Sequence, residues 1–335
     1  MALPQGLTRA MMAASPRVDP FRASYAVPVA GGQLHVARAG PAPGDADAVV
    51  LAVHGITASH AAWRGAVRAL LERTDACVLA PDLRGRGRSA QLPPHDRFDA
   101  HVDDLVAVLD RLGVERALLV GHSMGAYVVA RLAADHPDRA SGVVLVDGGL
   151  PLPPLRADQD PDEVLEKTLG PALARLPMTF ESAERYVEFW RGHPAFRDAW
   201  NDDIDAYARA DLSSGPGPLR SVTSEAAARV DGAALLLDVP TRTALERVRA
   251  PIQLLRAPRG LLDDEHVMIP DSVLDDFRAT RPEVGAELVE DVNHYTILMG
   301  AGAPTVAAAI ARGLAAGPTG GGSARPDRDE RAGSR

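Results

Sequence analysis

One pentapeptide in this chain has the residue types and the setting for nucleophilic chemistry: Gly121-His-Ser-Met-Gly125. The apolar run Ala117–Val120 precedes it, and the helix-like run Ala126–Ala134 follows. A serine hydroxyl is a weak nucleophile until it is exposed and a neighbouring base takes its proton. Glycines at 121 and 125 suit a sharp strand-to-helix turn, where neighbouring segments pass too close for side chains. Such a turn lifts the Ser123 hydroxyl out at a sheet edge. It also leaves the Met124 amide at a helix N-terminus, able to donate to a developing oxyanion. The chemistry this allows is acyl transfer, and it needs a base. Of the ten histidines, His95, His101, His136, His193 and His266 lie in polar or Pro-flanked stretches and read as solvent-facing. His294 sits in Asp291-Val-Asn-His-Tyr-Thr-Ile-Leu298, a loop following an apolar run. A neutral imidazole there has the basicity to take the serine proton near neutral pH.

The elements that must bring these groups together are legible as alternating apolar runs and amphipathic stretches. Val49–Val53, Cys77–Ala80, Ala117–Val120, Val143–Val146, Ile252–Leu255 and Glu287–Val289 read as strands. Runs that are apolar without alternation fit strands buried on both faces of a parallel sheet. Tyr25–Val29 and Leu34–Ala37 flank Gly31-Gly32 and read as an antiparallel hairpin ahead of them. Between the strands, Val102, Leu105, Val106, Leu109 and Leu112 form one helical stripe, ended by Gly113. Pro304 can open the last helix. The pattern predicts an α/β fold, a doubly wound and mostly parallel sheet.

The rhythm breaks for roughly a hundred residues after the sixth strand. Seven of the fourteen aromatics fall there: Phe180, Tyr186, Phe189, Trp190, Phe196, Trp200 and Tyr207. Mixed with many charges, they predict an inserted helical cap at the C-terminal edge of the sheet, where open α/β folds bind ligands. The expected organisation is a loose arm at 1–20, a first core segment at 21–150, the cap at 151–245, a second core segment at 246–316, and a disordered tail at 317–335.

Composition sets bounds on function. The chain has 335 residues, 46% of them apolar, and a formal net charge of −9. That length and apolar content suit one α/β domain with an insertion. The acidic balance argues against a nucleic-acid binder, whose footprint is basic. No run is long and apolar enough to span a bilayer, and residues 1–20 lack the apolar core of a secretory signal. The expectation is a cytoplasmic protein acting on a small molecule. Cys77, the one cysteine, excludes an internal disulfide and a cysteine-rich metal site. No G-x-x-x-x-G-K, H-E-x-x-H or dinucleotide fingerprint is present, so neither a cofactor nor a catalytic metal is expected.

On these motifs the chain resembles the α/β-hydrolase family over most of residues 25–315. Val53-His-Gly-Ile-Thr57 resembles the family's loop after its third strand. The resemblance implies that Ile56 donates the second oxyanion amide and that His54 is structural. Asp82-Leu-Arg-Gly-Arg-Gly-Arg-Ser89 resembles the family's D-x-R-G-x-G-x-S loop, a loop-ordering device rather than a phosphate site. His294 resembles the family's catalytic histidine. The triad acid is open. Asp263, after the strand beginning at Ile252, is the first choice, although it comes later than the family's strand-Gly-x-x-Asp pattern. Asp147, at the end of the preceding strand, is the alternative, and Asp264 is a third candidate. The resemblance implies a serine hydrolase of carboxylic esters working through an acyl-enzyme. Carbon–carbon bond hydrolases and acyltransferases share the same residue set, and some proteins of this fold bind ligands without turnover.

Overall fold

The computed structural model describes residues 18–316, apart from residues 96, 153, 215 and 216. Of the arm expected at 1–20 only residues 18–20 fall within it, and the tail expected at 317–335 lies outside the described residues. Eight strands form one sheet: β1 (Phe21–Val29), β2 (Gly32–Ala39), β3 (Val49–Val53), β4 (Cys77–Pro81), β5 (Ala117–His122), β6 (Ala140–Val146), β7 (Ile252–Arg256) and β8 (Gly285–Leu288). Their order is β1-β2-β4-β3-β5-β6-β7-β8. The β1–β2 hairpin turns through Gly31 and Gly32, at φ 87° and 153°. β2 also runs antiparallel to β4, whereas β3 to β8 are mutually parallel.

The core helices are α1 (Arg64–Leu71), α2 (Ala100–Arg111), α3 (Met124–Asp135), α10 (Asp271–Thr280), α11 (Thr296–Met299) and α12 (Ala303–Ala316). Between β6 and β7 lie α4 (Pro161–Leu173), α5 (Ala183–Arg191), α6 (Asp202–Ala210), α7 (Glu225–Leu237), α8 (Val239–Arg242) and α9 (Ala244–Arg247). Side chains alternate across each strand, so β3 feeds two cores. Leu51 and Val53 join Leu105 and Val128 on one face, whereas Val50 and Ala52 join Val67 and Ile310 on the other. This two-faced burial is why the central strands read as unbroken apolar runs.

Five of the six inserted helices, all but α9, begin on side-chain caps that satisfy first-turn amides. Asp160, Ser182, Asn201, Ser224 and Asp238 accept from Asp162, Arg185, Asp203 and Ile204, Ala227 and Thr241 respectively. Tyr186, Trp190, Phe196 and Tyr207 are buried to within 1% of completely, and Trp190 makes ring contacts to the other three. Most of the aromatic cluster is therefore the insertion's own core. Charged residues fasten the insertion to α1 and to the loop after β4: Arg68 grips Asp203 at 2.8 and 2.7 Å, and Arg86 pairs with Asp231 at 2.5 Å. His101, expected at the surface, is buried and meets the same Asp231 at 3.0 Å. Among the described residues no helix is long and apolar enough to cross a membrane.

Candidate active site

Strand β5 delivers Ser123 to the sheet edge and α3 begins one residue later. Ser123 holds φ 55° and ψ −124°, a conformation that non-glycine residues keep only where their surroundings impose it. Those surroundings are visible. A Cβ at Gly121 would overlap the carbonyl of Gly125, and one at Gly125 would overlap the carbonyl of Val53. The turn therefore packs backbone on backbone, and the Ser123 amide is tied to Val146 O at 3.0 Å. Ser123 itself is half-buried and faces a cavity.

The loop after β3 forms the facing wall. His54 is fully buried, with Nε2 accepting from Leu83 N at 3.0 Å. That leaves Nδ1–H to donate to Gly55 O at 2.8 Å. Burial lowers its pKa to about 4, so this imidazole is a neutral brace and both nitrogens are occupied. Gly55 brings backbone against Ser123: a Cβ there would lie 3.1 Å from Ser123 Cβ and 3.5 Å from its Oγ. Two buried guanidiniums hold the next carbonyls outward. Arg86 Nε donates to Ile56 O at 2.9 Å, and Arg175 Nη2 donates to Thr57 O at 2.9 Å. Among the described residues neither the Ile56 nor the Met124 amide donates to another protein group.

His294 lies in the loop between β8 and α11, is 3% exposed, and lines the same cavity as Ser123. Its Nδ1 is 2.7 Å from Asp147 Oδ2. Asp147 is fully buried at the end of β6, at φ 48°, and its Oδ1 accepts from Ala257 N at 3.1 Å. Asp263, the first choice from sequence, does not meet the histidine. It sits on the exposed loop after β7, where Oδ1 takes hydrogen bonds from Arg259 Nε at 2.6 Å and Asn293 Nδ2 at 2.9 Å. Asp264 faces His266 at 3.1 Å. The late position of Asp263 in its loop carries it past the ring to the rim, whereas the β6 end lies one strand nearer to Ser123.

Several residues near the site carried no distinct sequence signal. His122 donates from Nε2 to the carbonyl of His294 at 2.9 Å, with the two rings 4.6 Å apart. Burial, with His294 second, lowers the His122 pKa well below the ordinary value. Asn293 accepts from the Tyr295 and Thr296 amides at 3.0 Å each, fixing the turn that carries His294. Arg175 is the most connected. It meets Asp211 at 2.8 Å, Ser221 at 3.0 Å and Tyr186 at 3.3 Å, and lies over the Trp190 ring at 4.9 Å. A lone arginine within the apolar Ala172–Leu176 stretch was the available clue. Among the described residues no hydrogen bond is taken from the Ser123 hydroxyl, which opens on a cavity of only about 30 Å³ lined by Leu169, Ala172, Tyr207 and Met268.

The comparisons with known proteins agree on the fold. A family model described as the alpha/beta hydrolase fold matches residues 48–201. The chain has the α/β-hydrolase fold. Lipase LipV of Mycobacterium tuberculosis (strain ATCC 25618 / H37Rv) is 38% identical over 144 residues, which is 42% of this chain and 52% of that protein. The putative carbamate hydrolase RutD of Caulobacter vibrioides (strain NA1000 / CB15N) is 42% identical over 101 residues, 30% of this chain and 37% of the relative. The chain thus matches about half or less of the length of these curated relatives. The crystal structure of E-2-(acetamidomethylene)succinate hydrolase superposes with a TM-score of 0.68 at 23% identity, over 86% of this chain and 97% of that one. This α/β-hydrolase fold accounts for the sheet order and for the elbow at Ser123.

Proposed function

We propose that the protein is a serine hydrolase in which Ser123, His294 and Asp147 form the triad. The observation that carries the reading is the buried 2.7 Å Asp147–His294 contact opening on the cavity that also holds Ser123. With its Nδ1 proton held by Asp147, the neutral ring presents the Nε2 lone pair as a base. Ser123 Oγ attacks an acyl carbonyl as His294 takes its proton. The amides of Ile56 and Met124 receive the negative charge that develops on the carbonyl oxygen, each worth about 2.7–4 kcal/mol where such donors have been removed. His294 then protonates the leaving group, and the same ring activates the water that releases the acyl group. An apo hydroxyl without a hydrogen bond is compatible with this, since such contacts tighten when substrate binds.

The substrate class is a small carboxylic ester with apolar bulk, in keeping with the apolar lining and with the name of the lipase relative. Small-molecule pockets are typically about 300–1,000 Å³, so the helical insertion has to move aside before a substrate fits. It acts as a cap over the site. The test is turnover of p-nitrophenyl esters of rising chain length, with rapid mixing to resolve the first turnover. A burst of one nitrophenolate per chain, abolished in Ser123→Ala, supports the acyl-enzyme. Turnover that survives in Ser123→Ala refutes it, and a stable protein that binds the esters without cleaving them favours a ligand binder.

A further inference from the structure

We propose that His35, His60 and Asp82 form a binding site for one divalent transition-metal ion of the zinc type, apart from the residues that line the catalytic cavity. Three elements converge there: β2 carries His35, the turn after β3 carries His60, and Asp82 directly follows β4. His60 Nδ1 lies 2.9 and 3.0 Å from the two Asp82 oxygens, and His35 Nδ1 lies 3.2 Å from Oδ2. One ligating atom from each of the three residues lies within 4.8 Å of the other two. Zinc binds imidazole nitrogen and carboxylate oxygen at about 2.0–2.2 Å, so two ligands of one ion stand roughly 2.9–3.5 Å apart. The imidazole-to-carboxylate spacings already suit a shared ion.

The carboxylate is fixed in place before any ion arrives. Asp82 Oδ1 accepts from His60 N at 2.7 Å and Oδ2 from Arg88 N at 2.9 Å. A carboxylate oxygen has two acceptor positions, so these backbone bonds orient the group and leave one position on each oxygen. His35 is pinned through its backbone as well, its amide to Ser89 Oγ and its carbonyl to Asp82 N, both at 2.9 Å. Yet His35 Nδ1 has only the 3.2 Å contact with Asp82 Oδ2, and Nε2 is shielded from water without a hydrogen-bond partner. Buried polar atoms left unpaired are unusual and call for a partner. His60 alone would serve a purely structural hydrogen bond to Asp82, so a second imidazole turned onto the same carboxylate is what points to an ion.

The donor set sets the metal. Two imidazoles and one carboxylate suit zinc, cobalt or iron(II), whereas calcium and magnesium prefer oxygen alone and copper(I) prefers sulfur. The histidine side chains are each 14% exposed, which gives the ion a way in. Bound there, it ties the N-terminal hairpin to the segment that begins three residues beyond the Thr57 carbonyl. No short motif announces such a site, because strand order, and not sequence spacing, brings positions 35, 60 and 82 together.

The full-length protein, stripped with EDTA and dialysed free of it, should bind one zinc ion per chain by calorimetry. Cobalt(II) should give visible absorption that zinc displaces. His35→Ala and His60→Ala should each weaken zinc binding by at least about tenfold, and zinc should raise the Tm of the parent protein but not of His35→Ala. His35→Phe, which retains a ring, serves if the alanine variant is unstable. Phosphonate labelling of Ser123 should be unchanged in the His35 variants, which separates this site from the catalytic reading. Absence of saturable zinc binding by the parent protein overturns the proposal. So does binding by both histidine variants as tight as that of the parent protein.

Discussion

Replacing Asp147 by asparagine changes one atom, and the structure says which way the new amide must face. Ala257 N–H, 3.1 Å from Oδ1, can only donate, so the asparagine carbonyl has to occupy that position. Its NH₂ group then faces His294 Nδ1, where the Oδ2 acceptor stood at 2.7 Å. Nδ1 must become the acceptor, the ring's single proton moves to Nε2, and the lone pair needed to activate Ser123 is lost. The same exchange in a serine protease triad lowers kcat about 10⁴-fold with geometry intact, equivalent to about 5 kcal/mol of barrier. The assay is kcat for a p-nitrophenyl ester alongside Tm and near-ultraviolet circular dichroism. The companion Asp263→Asn removes only an exposed contact to Arg259 and Asn293 and should cost no more than about fivefold, the scale of one exposed ion pair. A folded Asp147→Asn that loses less than about tenfold, or an Asp263→Asn that loses as much as Asp147→Asn, refutes the assignment of the acid.

Gly55→Ala places a methyl 3.1 Å from Ser123 Cβ and should lower kcat by about 10²-fold through misplacement of the reacting groups. An unchanged kcat would mean that the acyl group does not approach along this loop. Arg175→Met strands the buried Asp211 and frees the Thr57 carbonyl, so urea unfolding should show a loss of about 3–5 kcal/mol. Adding Asp211→Asn should recover part of it, and a loss below about 1 kcal/mol, roughly the value of an exposed pair, would contradict the burial. Stability should also fall as pH drops from about 6.5 to 4. His54, held by burial near a pKa of about 4 in the folded state against 6.5 unfolded, binds its proton more readily in the unfolded chain across that window. His54 alone contributes about 3 kcal/mol, and His122 adds with the same sign. Burial pushes the Asp82 carboxyl upward, but His60 and His35 outweigh it and hold it below the usual carboxylate range, so its loss comes at lower pH and does not offset the trend. Equal unfolding free energies at pH 7 and pH 4.5 would contradict the burial of these rings.

The sheet and the turn at Ser123 were legible because local pattern and tertiary context agree there. Val49–Val53 is apolar at every position because both faces of β3 are covered, and that same double burial produces the unbroken run in the sequence. Gly121 and Gly125 signal a backbone crossing that no other residue permits. The aspartate that meets His294 was not legible for a matching reason. Asp147, Asp263 and Asp264 all follow strand ends, and Asp147 and Asp263 share a left-handed φ. Only three-dimensional reach decides which of them meets a ring on a distant loop. The aromatic cluster does not by itself say which it serves, because burial in a local core and burial in a pocket leave the same composition. His101 looked exposed because its partner, Asp231, is 130 residues away. Arg86 and Arg175 brace the Ile56 and Thr57 carbonyls through contacts of 30 and 118 residues' separation, which no window of sequence contains.

The central claim is that Ser123, the His294–Asp147 pair and two backbone amides converge on one reacting atom, and a crystal structure of the p-nitrophenyl phosphonate adduct tests it most directly. The account predicts phosphorus bonded to Ser123 Oγ, the phosphonyl oxygen about 2.7–3.1 Å from the amides of both Ile56 and Met124, and His294 Nε2 within hydrogen-bond reach of the serine oxygen while Nδ1 still holds Asp147. An adduct on any other residue, or a phosphonyl oxygen turned away from both amides, would contradict it.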